Sequence, residues 1–175
     1  MIAAIQPPVV AQKESTCYHE SGHAVVGILM GGTVHGLSIA QKDTPHGVQY
    51  GTCTWTRSSY IKGTIASLLA GPMAAWERNY RRGEMLSYGS RGDIRDAEEY
   101  LRSLYEQEGS TLEKLQDAGE FDDAMRIAQW TVAENWGAIH HIAQWLLTHD
   151  SMSGELAHAI VDAHKLKTKG RDNDE

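Results

Sequence analysis

His19 and His23 stand four residues apart, with Glu20 directly after the first, in the pattern His19-Glu20-Ser21-Gly22-His23. On an α-helix, residues i and i+4 share a face, so both imidazoles can reach one metal ion. Glu20 then points to the side of that pair, where its carboxylate can hydrogen-bond a water on the metal. Two imidazole ligands, a carboxylate base and an open coordination position are the parts of metal-assisted hydrolysis. The flanks suit a helix: Ala24, Val25, Val26, Ile28 and Leu29 supply an apolar wall, and Gly31-Gly32 a stop. Gly22 costs about 1 kcal/mol of helix propensity relative to alanine, a cost that close packing or a ligand explains better than folding alone. The bland reading is two histidines meeting by chance on one helical turn. It loses weight because candidate third ligands follow.

The residues alone leave that third ligand open. Asp93 lies in Gly89-Ser90-Arg91-Gly92-Asp93-Ile94 at a loop-to-helix junction, Glu77 lies in Ala74-Ala75-Trp76-Glu77 on a helix, and His140-His141 offers an imidazole. Each has an ordinary alternative. Ser90-x-x-Asp93 has the spacing of a capping box. Glu77 fits a solvated helix carboxylate, and His140-His141 a pair divided between core edge and water.

Periodicity supplies the elements that must position these groups. It predicts a helix from Gln12 to Met30, a strand from Thr33 to Ala40, turn chemistry from Lys42 to Gly47, and a second strand from Val48 to Trp55. Apolar residues Ile61, Ile65, Leu68, Leu69, Met73 and Trp76 then mark a helix over Ser58–Tyr80, with Gly71-Pro72 predicting a kink or two consecutive helices. Arg81 to Gly92 reads as a loop and Asp93 to Glu106 as a helix, while Gln107 to Glu120 is polar and ambiguous. One long helix is predicted over Phe121–Thr148, bent at Gly137, and a last one from Ser153 to Lys167, capped by Ser153. The fold class is mainly α with a small β element.

At 175 residues the chain is expected to form one domain with a proper core, over 11–168, between a mobile arm (1–10) and a charged tail (169–175). A net charge of −7 leaves no basic surplus to meet phosphates, so nucleic acid is not expected as a partner. Apolar runs stop well short of the about 18 residues a membrane span needs. Met1 to Gln12, with Pro7-Pro8, lacks the charged and apolar regions of a signal peptide. Cys17 and Cys53 are too few for a disulfide scaffold and fit a reducing compartment, the cytoplasm.

These residues carry a resemblance. Thr16-Cys17-Tyr18-His19-Glu20-Ser21-Gly22-His23-Ala24 is similar to the A-Y-H-E-A-G-H-A helix of FtsH-type ATP-dependent zinc metalloproteases. Val34 to Ile39 resembles that family's following strand, Gly47-Val48 the start of its substrate-facing edge strand, and Ile65 to Ala75 its L-x-G-G-R-A-A-E-E helix. Gly89 to Ile94 resembles its G-A-S-N-D-L segment, and Phe121 to Val161 its long terminal helix, so the likeness spans roughly residues 14–165. There are departures. Ala75 and Trp76 replace the tandem glutamates, Gly92 an asparagine and Pro72 an arginine, and these 175 residues contain no Walker A sequence.

The resemblance implies an FtsH-like zinc peptidase domain with its motif on an N-terminal helix and Zn²⁺ on His19, His23 and Asp93. It also implies that Glu20 activates a zinc-bound water against a peptide bond. Gly47, Val48, Gln49 and Tyr50 would hold an extended peptide or unfolded protein by strand addition. A separate ATPase or further copies of the chain would be partners. Two rivals have other chemistries. A catalytically silent zinc-binding interaction module would need no base at Glu20, and a hydrolase of small non-peptide substrates would need an enclosed pocket rather than a groove beside an edge strand.

Overall fold

The computed structural model describes residues 9–44, 47–81, 90–107 and 119–171. In order the elements are α1 (Val9–Leu29), β1 (Thr33–Thr44), β2 (Gly47–Thr56), α2 (Ile61–Arg81), α3 (Ser90–Gln107), α4 (Glu120–Glu134), α5 (Trp136–His149), β3 (Ser151–Ser153) and α6 (Gly154–Arg171). The architecture is mainly helical with one three-stranded antiparallel sheet in the order β2-β1-β3. The expected arm over residues 1–10 lies outside the described residues up to residue 8, and α1 begins at Val9, directly after the proline pair. The expected charged tail overlaps α6, which runs to Arg171, and residues 172–175 lie outside the described ones.

α1 is the axis of the molecule. From Cys17 to Ile28 nearly every side chain is buried, because α2, α4, α5, α6 and the β1–β2 hairpin all pack against it. A helix surrounded on all sides needs small residues where another backbone comes close. Gly22 meets that need: a β carbon there would stand 2.7 Å from Ala74 Cβ and closer still to the Ala70 carbonyl oxygen. Such spacing is well inside the carbon–carbon contact distance of about 3.5–4.0 Å. Glycine on α1 and alanines on α2 thus let the two helices approach closely, which accounts for the helix propensity Gly22 gives up.

β1 runs on to Thr44, through the first half of the expected turn, and three further elements differ from the periodicity. α2 runs continuously through Pro72 instead of dividing in two. Proline forfeits one helical hydrogen bond, but Ala70, Gly71 and Ala74 around it are buried against the core, and that packing keeps both halves in one helix. The long C-terminal helix breaks at Asn135, two residues before the expected bend at Gly137. Asn135 leaves helical geometry (φ −108°, ψ 23°), and its backbone N–H and side-chain Nδ2 both donate to the Thr131 carbonyl, at 3.0 and 2.9 Å. β3 is not legible in the sequence. Its three residues are too few to show alternation, yet Met152 pairs with Leu37 and is buried. Ser153 ends that strand and caps α6, its Oγ accepting from Leu156 N–H at 3.3 Å. No helix among the described residues is long and apolar enough to cross a membrane.

Candidate metal centre

α1 turns His19, Glu20 and His23 toward one cavity, and α3 brings Asp93 to them from the other side. His19 Nε2 and His23 Nε2 are 3.1 Å apart. The two Asp93 carboxylate oxygens lie 3.1 Å from His19 Nε2 and 3.3 Å from His23 Nε2. One ligand atom from each of His19, His23 and Asp93 falls within 4.8 Å of the others, the geometry that a single cation can bridge. α3 begins at Ser90, so Asp93 sits in its first turn, where the chain arrives from outside the helix and a short side chain can reach across.

The surroundings fit a metal. His23 Nδ1 donates to the Ser67 carbonyl at 2.7 Å, which orients the ring and presents Nε2 to the cluster, as outer partners of metal-bound histidines do. Gly71 clears the space for that ring: a β carbon there would stand 2.6 Å from His23 Cε1. Burial depresses the charged form of His23, but the Asp93 hydrogen bond, the Asp93 and Glu20 charges and the Ser67 carbonyl outweigh it, and its pKa is raised to about 9. Burial likewise pushes the Asp93 carboxyl up, while the hydrogen bonds from His19 and His23 pull harder and hold it well below its usual range. His23 and Asp93 therefore favour each other's charged forms. Glu20 is almost fully buried beside it, and burial raises its pKa against the pull of His23 and His19.

The other sequence candidates go elsewhere. Glu77 accepts from Arg81 Nε at 2.7 Å. His140 Nδ1 lies 2.6 Å from the Tyr18 hydroxyl, whose ring stacks on Trp136, and His141 meets His164 edge-on. Ala75 is buried, and Trp76 is exposed and stacks on Tyr80.

The cavity holding the cluster measures about 740 Å³. Beyond the four central residues it is lined by Gln12, Ser15 and Thr16 of α1, Leu68 of α2, Arg95 and Asp96 of α3, and Tyr50 to Cys53 and Trp55 of β2. β2 is an edge strand, paired only with β1 among the described residues. Of the expected substrate-holding residues, Tyr50 lines this cavity. The backbones of Gly47, Val48 and Gln49 lie in β2 opposite Thr44, Asp43 and Lys42, and the side chains of Val48 and Gln49 lie outside the described residues. Residue types did not point to three further parts, Ser67, Gly71 and the Gly51–Cys53 wall. Ser67 contributes only a carbonyl, and the glycines contribute an absence. Only the glycine of the helix likeness, Gly71, carried any signal.

Two histidines and an aspartate, with a buried glutamate beside them, thus form a donor set that could hold a metal ion. Residues 6–87, just under half of the chain, match the family model Peptidase M50B-like. The chain is 34% identical over 110 residues to an ATP-dependent zinc metalloprotease FtsH of Haemophilus influenzae, a stretch covering 59% of this chain and 17% of that protein. Over these stretches the chain is similar to peptidases of the M50B-like and FtsH types, and it spans under a fifth of the length of that FtsH.

Proposed function

We propose that this chain is a zinc-dependent metalloendopeptidase that hydrolyses peptide bonds in peptides or unfolded proteins. The observation that carries the reading is the meeting of His19, His23 and Asp93 in one cavity that Glu20 and edge strand β2 also line. His19, His23 and Asp93 would hold the ion; two imidazoles and a carboxylate are a donor set that suits zinc and leaves a position open. When bound, zinc supplies Lewis-acid polarisation of the scissile carbonyl and a positive charge that favours the ionised form of Glu20.

The rest belongs to the protein. Glu20, ionised, takes a proton from the attacking water onto its carboxylate and returns it to the leaving amine. Its burial removes competing solvent, so the proton is exchanged only between groups in the cavity. The outer edge of β2 offers backbone donors and acceptors to an extended chain, a mode that reads main chain rather than side chains. Ser67 keeps the His23 ring turned toward the site.

The test compares wild type with Glu20→Gln for zinc content and for hydrolysis of casein. Glu20→Gln keeps both imidazoles and the carboxylate of Asp93, so bound zinc should be retained. Turnover should fall by at least the about 10²–10⁴-fold that general-base catalysis supplies. Unchanged turnover in the zinc-loaded variant would reject the peptidase reading, and a wild type that binds zinc without hydrolysing anything would make it an interaction module.

A further inference from the structure

The β1–β2 hairpin is irregular where it meets the site. Pairing steps from Ser38↔Thr52 to Gln41↔Tyr50, so two β1 residues, Ile39 and Ala40, oppose Gly51 alone. Gly51 has φ +83°, a conformation that residues with a β carbon rarely adopt. Its α carbon faces α1 at the level of the base. A β carbon at position 51 would stand 2.9 Å from Glu20 Cδ and 2.7 Å from Thr16 Cγ2, and nearer still to Glu20 Oε1. The extra residue lies on β1, and Gly51 is the single β2 residue opposite it, in an irregularity of the kind that recurs next to active sites.

We infer that Gly51 is a positioning residue for the reaction: its lack of a side chain leaves the slot between β2 and Thr16 in which the Glu20 carboxylate sits. The inference rests on the reading of Glu20 as the base. A glycine needed only for its backbone conformation would behave differently. Its replacement would weaken folding, and the loss would not depend on which side chain stands at position 20. A slot for the carboxylate makes the loss depend on the length of that side chain.

The experiment uses the zinc-loaded chain and one fluorogenic peptide, with zinc content, circular dichroism, kcat and KM measured for each variant. Gly51→Ala should keep zinc and KM and lose about 10²-fold in kcat, the scale of a misplacement near 1 Å. In a Glu20→Asp background, whose shorter side chain relieves the contacts with the carboxylate though not the one with Thr16, the same substitution should cost about tenfold less than in the wild type, a coupling beyond the about twofold scatter of independent sites. Thr16→Leu fills the slot from the helix side without touching the β2 backbone. It should show the same dependence on Glu20, and it decides the matter if Gly51→Ala does not fold. Folded, zinc-loaded Gly51→Ala with wild-type kcat, or equal losses in the wild-type and Glu20→Asp backgrounds, would overturn the inference. Those results leave the peptidase reading intact, whereas an active Glu20→Gln rejects that reading itself.

Discussion

Asp93 is what makes the two imidazoles good neighbours. His19 and His23 bring their Nε2 atoms to within 3.1 Å of each other, and the Asp93 carboxylate lies against both. As a ligand it would supply an anionic oxygen that offsets the charge of the ion. Asp93→Asn should therefore weaken zinc binding by more than the about 10–100-fold that loss of an outer partner costs. Glu77→Gln should leave affinity unchanged, because Glu77 is engaged by Arg81 and stands apart from the cluster. A purely capping Asp93 would lose about 1 kcal/mol of stability at most on that change and keep wild-type zinc affinity. Metal titration of both variants separates the two accounts.

Helices α1 and α2 carry most of the site between them, and a buried ion pair fastens their ends. Arg78 on α2 is 3% exposed, and its Nη2 donates to Glu14 on α1 at 2.6 Å while its Nη1 donates to Asn79 at 2.7 Å. Removing one partner of a buried pair leaves the other charged and desolvated, at a cost of about 3–5 kcal/mol. Arg78→Ala should lower the melting temperature by about 10 °C, given about 2–4 °C per kcal/mol for a chain of this size. The double variant Glu14→Leu/Arg78→Met, which removes both charges and keeps apolar volume, should melt higher than Arg78→Ala. Thermal melts of the three proteins give the answer, and a double variant that melts lowest would refute the pairing argument.

For the whole molecule, the site links stability to pH and to metal. In the metal-free protein the folded pKa of His23 is raised from 6.5 to about 9, so its stabilising contribution is complete below 6.5 and fades as pH rises toward 9. The Asp93 pKa is depressed below 3.8, so its contribution is present above that value and is lost as pH falls further. For these two groups the metal-free protein is most stable between about pH 4 and 6.5. Binding a cation requires the His23 Nε2 proton to leave, so affinity should rise across the window in which the metal-free form loses stability. The gain in melting temperature on adding zinc should be larger near pH 8.5 than near pH 5.5, and a chelator should abolish it at both. At a hundredfold excess over Kd, the gain corresponds to about 2.7 kcal/mol. A zinc increment independent of pH would show that no proton is displaced.

Much of this was local and therefore readable. The His19–His23 spacing follows the helical period, so both imidazoles face one way with Glu20 beside them wherever the helix lies, and the propensity cost of Gly22 already pointed to close packing or a ligand. The hairpin was visible in β-forming residues on either side of a turn. Only the tertiary structure decided which distant group joins the imidazoles. Asp93, Glu77 and His140 had comparable local credentials, and the choice depends on where α3, α2 and α5 lie around α1. The same holds for β3, which exists because Met152 reaches Leu37, and for the break at Asn135, which lies two residues from the glycine that seemed to mark it. Gly51 is the clearest case: a glycine in a strand states only that something is missing, and the packing of β2 on α1 decides that Glu20 takes the space. Periodicity can be read along a chain because the backbone repeats. Contacts between distant elements follow from how their surfaces fit, which no short stretch of sequence contains.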